Sequence, residues 1–177
     1  QLSWPGLAAG FFGLVLLART RRRLLGTITA FTAGHSVTLS LAALGLVQVP
    51  TPPIEVAIAM SVLVLAIELA RDTPAPTLLR RHPWAMAAAF GLLHGLGFAA
   101  ALREAGLPVG EIPLALAAFN VGIEAGQLAF VAAVLAGRAA LGDLPGRLPR
   151  WTARVPVYGM GSLAAFWWFE RTAALLR

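Results

Sequence analysis

Apolar residues fall along this chain in long blocks, each ended by a short stretch rich in arginine, proline or glycine. Blocks of this length, without a narrow apolar stripe, predict helices that cross a membrane rather than the amphipathic helices of a soluble fold. Six spans are expected, at about 4–18, 26–47, 54–70, 84–102, 112–137 and 155–169. The first is short against the roughly 20 residues a crossing needs. Pro50, Pro52 and Pro53 are expected to break the chain after the second span, and a polar stretch over 138–154 separates the last two. The fold class this pattern predicts is all-α, a single transmembrane domain over 1–177 built as a bundle of about six helices.

Composition strengthens that reading. Only 12% of the residues are charged and 58% are hydrophobic, with a mean hydropathy of +0.77. A soluble domain carries about a quarter charged residues, so this chain lacks the polar surface to cover a soluble fold. Cysteine is absent, which removes disulfides and thiolate metal sites. The net charge of +6 does not signal nucleic acid, because the arginines sit in short connections and no nucleic-acid module is present. Eleven of the fourteen follow spans one, three and five, leaving Arg103, Arg171 and Arg177 on the other side. The positive-inside rule then places the arginine-rich loops in the cytoplasm and both termini outside. Trp4, Trp84, Trp151, Trp167 and Trp168 lie near span ends, where interfacial anchors belong. The chain opens at Gln1 rather than Met, so a trimmed N-terminus is expected, and whether a signal peptide or further domain precedes it is left open.

Against this apolar background a few polar groups stand out. His35, His94 and Glu124 each lie nine to twelve residues inside a span. At about 1.5 Å per residue that is roughly 14–18 Å deep, near the middle of a core about 30 Å thick. Ionisable groups there are costly and point to function. Neutral imidazole is a common ligand for Zn, Ni, Cu and Fe, and a carboxylate at that depth needs a proton or a cation. Asn120, Glu124 and Gln127 recur at i, i+4 and i+7, a polar face that must look into the bundle. Ser36, Thr38 and Glu68 are further polar candidates. The plain alternative for the histidines is an interhelical hydrogen bond, with Ser36, Thr38 or Asn120 as partner; for Glu68 it is an ion pair with Arg71, and for Glu55 a helix-start role. Gly91/Gly95 and Gly122/Gly126 are small-x3-small pairs, which chiefly serve packing. No Gly-x-Ser-x-Gly elbow, His-Glu-x2-His pair or phosphate loop is present.

An internal repeat is also indicated. Phe31-x3-His35 matches Phe90-x3-His94, and Ala66-Ile67-Glu68-Leu69-Ala70 resembles Gly122-Ile123-Glu124-Ala125-Gly126. Spans two and three would then be a hairpin related to spans four and five about an axis along the membrane normal, pairing Glu68 with Glu124.

The blocks Phe31-Thr32-x2-His35-Ser36-x-Thr38-Leu39, Glu55 to Glu68 with Ser61, Phe90-Gly-Leu-x-His94-Gly-x-Gly-Phe98 and Phe119-Asn120-x-Gly-x-Glu124-x-Gly-Gln127 resemble the second branch of the HupE/UreJ family. They cover residues 31 to 128. The resemblance implies a bacterial inner-membrane protein of about six helices, associated with hydrogenase and urease maturation proteins and hence with nickel. The His-Pro-x2-Gly-x-Asp-His motif of the better-known branch is absent, so the metal's identity is left open.

The expected function is a permease for a divalent transition metal, Ni or Zn. Its site lies at the midplane and uses His35, His94 and Glu124 as ligands, with Asn120, Gln127, Glu68, Ser36 and Thr38 in the outer shell or along the route. The rival is an intramembrane hydrolase in which the same ligands hold a metal that activates water against a lipid or membrane peptide. A structural or accessory subunit is the third reading. The first of these is not an enzyme. The partners expected are the lipid bilayer and a metal ion.

Overall fold

The computed structural model describes residues 21–71, 77–104, 111–141 and 149–177; the expected span at 4–18 lies outside them. Among the described residues there are six α-helices and no strand: α1 (Arg21–Ala43), α2 (Thr51–Ala70), α3 (Leu78–Arg81), α4 (Pro83–Glu104), α5 (Ile112–Leu141) and α6 (Val155–Leu175). A short 3₁₀ turn, Arg150–Arg154, leads into α6. The five long helices coincide with expected spans two to six. Three hold stretches long and apolar enough to cross a membrane, Leu24–Ala43, Thr51–Ala70 and Ile112–Gly137, and Pro83–Phe98 of α4 is a shorter apolar stretch.

Two ends differ from the sequence expectation for local reasons. The second span was expected to reach residue 47, yet α1 stops at Ala43. Gly45 adopts a left-handed φ of 74°, and the amides of Gly45 and Leu46 turn back to the carbonyls of Ala42 and Leu41 at 3.2 and 2.9 Å. This is a Schellman stop, which glycine accepts without steric cost. The Pro50–Pro53 stretch does not merely break a helix; Pro52 lies in the first turn of α2, where its missing N–H would have had no partner anyway.

The long helices neighbour one another in the order α6, α2, α4, α1, α5. Gly34 lies against Ala88 and Leu92, Gly91 against Phe31 and His35, and Gly95 against His35 and Leu39, so α1 and α4 run parallel. Leu39 and Leu116 share one apolar cluster while Ile28 and Val131 share another, so α5 runs antiparallel to α1. Val62 and Ala66 meet Met160 and Ala164, and Glu55 near the start of α2 pairs with Arg171 near the end of α6 at 3.0 Å. Glu55 thus makes an interhelical ion pair rather than a cap, and α2 has no side-chain cap. The alternating directions are those of a chain that crosses back and forth.

Polarity is distributed inside out. His35, His94, Thr27, Thr32, Ser61, Glu68 and Gln127 are buried, whereas Leu114 and Val121 are 75% and 69% exposed. Water would oppose both choices; hydrocarbon favours both.

Candidate functional site

The site forms where α1 and α4 approach most closely. Glycine makes that approach possible: a Cβ on Gly91 would sit 2.9 Å from the Phe31 carbonyl carbon and 3.0 Å from the His35 amide nitrogen. The glycines around His94 in the sequence are therefore the surface on which α1 lies. Thr38 fastens the contact, its hydroxyl donating to the Leu92 carbonyl across the interface at 2.7 Å. His35 and His94 end up buried on either side of this seam, 1% and 3% exposed.

Both imidazoles lean on Phe31. Its ring stacks on His35 at 6.2 Å and meets His94 edge-on at 5.5 Å. Phe119 also stacks on His35 at 6.2 Å, and Phe98 meets it edge-on at 5.9 Å. Such rings fix an imidazole's plane and exclude water without offering it a hydrogen bond. Accordingly, Nδ1 and Nε2 of His35 are both buried with no hydrogen-bond partner, and so is Nδ1 of His94.

His94 Nε2 does have a partner, and it settles the tautomer. Ser61 Oγ lies 3.3 Å from Nε2 and 2.7 Å from the Ile58 carbonyl. A hydroxyl has one hydrogen. The carbonyl can only accept, so Ser61 donates there, and His94 must donate its Nε2 hydrogen to Oγ. That leaves a free lone pair on Nδ1, the form in which imidazole binds a metal.

The polar face of α5 is only partly turned inward. Gln127 is buried and accepts from the Thr32 hydroxyl at 2.9 Å. Asn120 Oδ1 is buried with no hydrogen-bond partner. Glu124 is half-buried; helical geometry swings it about 60° away from Gln127. The structure thus brings His35 and His94 to one seam, with Asn120 and Gln127 on the helix beside it. It does not gather Glu124 with them: among the described residues no three His, Cys, Asp or Glu side chains come together to hold a metal ion.

The other candidates have local duties. Ser36 donates to the Thr32 carbonyl at 2.7 Å, back onto its own helix. Glu68 accepts from Arg80 Nε at 2.6 Å and from Thr77 at 2.7 Å, and the ion pair with Arg71 weighed from sequence forms as a longer contact at 3.8 Å. Sequence reasoning did not assign roles to Ser61, Phe98 or Phe119. Their signal was the helical spacing of Phe98 one turn beyond His94, and of Phe119 next to Asn120.

A family model described as HupE / UreJ protein matches residues 10–171, nearly the whole chain. The chain belongs to the HupE/UreJ family. Of the blocks that carried the resemblance, Phe31–Leu39 and Phe90–Phe98 form this seam in the HupE/UreJ chain, and Phe119–Gln127 lies on the helix beside it. Family and apolar helices together make it a membrane protein. Searches of the curated proteins and of the solved structures found no match.

Proposed function

We propose that this HupE/UreJ protein is a permease for a divalent transition metal, nickel or zinc in type, whose cargo passes between His35 and His94 at mid-membrane. One observation carries the reading: three imidazole nitrogens, buried and without hydrogen-bond partners, lie along the α1–α4 seam. Buried polar atoms are nearly always satisfied, so such orphans call for a ligand. The available lone pairs are of the nitrogen type that suits Ni²⁺ and Zn²⁺ rather than Ca²⁺ or Mg²⁺. Two neutral imidazoles leave the cation's charge uncompensated. Glu124, beside the α5 polar face and one turn from Asn120, is the carboxylate that supplies it as the cation enters. The family's association with hydrogenase and urease maturation supports the same cargo.

The full chain purified in detergent is expected to bind Ni²⁺ or Zn²⁺ tightly, and reconstituted vesicles to take the same ion up. His35→Ala and His94→Ala should each weaken binding by more than the roughly 10- to 100-fold lost when an outer hydrogen-bond partner is removed. Equal metal content in wild type and both variants would make the histidines packing groups. Binding without uptake would leave a metal centre but no permease.

The inner membrane is the proposed location, with Arg23 and Arg81 on the cytoplasmic side. Reporter fusions after those residues should read cytoplasmic, and one after Pro52 external. A cytoplasmic signal at Pro52 would invert the assignment.

A further inference from the structure

We infer that residues 21–70 and 80–129 are two copies of one helical hairpin, and that Asn120 fixes the tautomer of His35 as Ser61 fixes that of His94. The copies align without a gap at a constant separation of 59 residues. Arg21-Arg22 falls on Arg80-Arg81, Phe31 on Phe90, His35 on His94, Val62 on Val121, and Leu69-Ala70 on Leu128-Ala129. This register corrects the pairing expected from the shorter motif: Glu68 falls on Gln127, not Glu124, and Ser61 falls on Asn120.

The packing agrees with a twofold relation along the membrane normal. The first helices of the two hairpins, α1 and α4, run parallel and meet each other. The second helix of each hairpin then packs on the first helix of the other, α2 on α4 and α5 on α1. On the α2–α4 side the contact at the imidazole is Ser61 with His94. Its counterpart on the α5–α1 side must be Asn120 with His35.

The contacts along α5 place Asn120 there independently of the alignment. Leu116 packs in the cluster of Leu39, and Gln127 bonds Thr32. Asn120 stands four residues from Leu116 and seven from Gln127, on the same helix face. It therefore meets α1 between Thr32 and Leu39, at the level of His35, and Phe119 just before it stacks on that ring. Asn120 Oδ1 and both His35 nitrogens are buried, and none has a hydrogen-bond partner. An amide oxygen accepts and an imidazole N–H donates, so the two orphaned groups are complementary. Once they pair, each histidine spends one N–H on the opposite hairpin and keeps one lone pair. Those two lone pairs are the symmetric donor set for the cation; this last step rests on the permease reading above, whereas the pairing itself does not.

The test uses the full chain labelled with ¹⁵N-histidine in lipid nanodiscs, where the ring nitrogen shifts report each tautomer, and follows the same samples by Ni²⁺ titration. Wild type should show both buried histidines in single tautomers. Asn120→Ala should release His35 alone and Ser61→Ala should release His94 alone, while Asn120→Ser, which borrows the other copy's residue, should keep His35 fixed. Each alanine variant should also lower Ni²⁺ affinity about 10- to 100-fold. If Asn120→Ala leaves His35 unchanged while Ser61→Ala moves His94, the pairing is wrong. If the tautomers respond as expected but Ni²⁺ affinity does not, the pairing holds and the metal reading fails.

Discussion

Gly91→Ala is expected to be the most damaging single-methyl change in the protein, costing about 3 kcal/mol or more. Overpacking a filled interior usually costs about 1–3 kcal/mol, because a neighbouring side chain can step aside. Here the neighbours are the Phe31 carbonyl group and the His35 amide nitrogen, backbone atoms of a helix that can yield only by moving as a body. Separating α1 from α4 would also pull Thr38 from the Leu92 carbonyl. The internal control is Gly122→Ala, since a Cβ there meets nothing among the described residues. By helix propensity alone that change should stabilise by up to about 1 kcal/mol. Thermal unfolding in detergent, followed by circular dichroism, distinguishes the two. A Tm for Gly91→Ala within a degree or two of that for Gly122→Ala would mean that the helices are not held at this distance. Because the same displacement parts His35 from His94, metal binding should fall along with stability.

The helices were legible because hydrocarbon demands long apolar blocks, and nothing else in a chain of this size reads that way. That His35 and His94 lie well inside their helices was legible too, since the apolar blocks set the helix bounds. Their neighbours were harder to see. Phe98 and Phe119 look like any apolar residue in a span, and only packing reveals that they enclose His35. Ser61 could have been found by the ungapped repeat, but the short Ile-Glu match drew Glu68 towards Glu124 and hid the longer register. On α5, sequence periodicity groups Asn120, Glu124 and Gln127 as one face. The neighbouring α1 is narrower than that face: it covers Gln127, whereas Asn120, with its Oδ1 buried, and Glu124 are both half-buried. A periodic stripe shows which side turns inward, not how wide the partner is.

Glu68 illustrates the same limit, and it carries the second large effect. A sequence view pairs it with Arg71 at i+3, yet Arg71 is 3.8 Å away and its side chain is 55% exposed. The tight partner is Arg80, twelve residues on, with Nε 2.6 Å from the carboxylate and a second nitrogen 3.0 Å from the Glu68 carbonyl. Glu68 itself is buried, its side chain 5% exposed. Removing one partner of a buried pair strands the other charge and costs about 3–5 kcal/mol. Arg80→Ala should fall at the lower end, about 3 kcal/mol, because Thr77 still donates to the carboxylate at 2.7 Å. Arg71→Ala should change stability by no more than about 0.5 kcal/mol, as exposed pairs do. Glu68→Gln, the residue that the second hairpin carries at the matching position, leaves no stranded anion and should cost only about 1 kcal/mol. The double variant Glu68→Ala with Arg80→Ala should then be less damaged than the two single changes added, by about 2 kcal/mol, since neither charge is left alone. Additive losses in that cycle, or an Arg71→Ala loss as large as that of Arg80→Ala, would overturn the assignment. The expected pattern would mark the α2–α3 junction as a fixed clasp at the arginine-rich end of the bundle, and leave His35 and His94 as the polar groups free to take a cation.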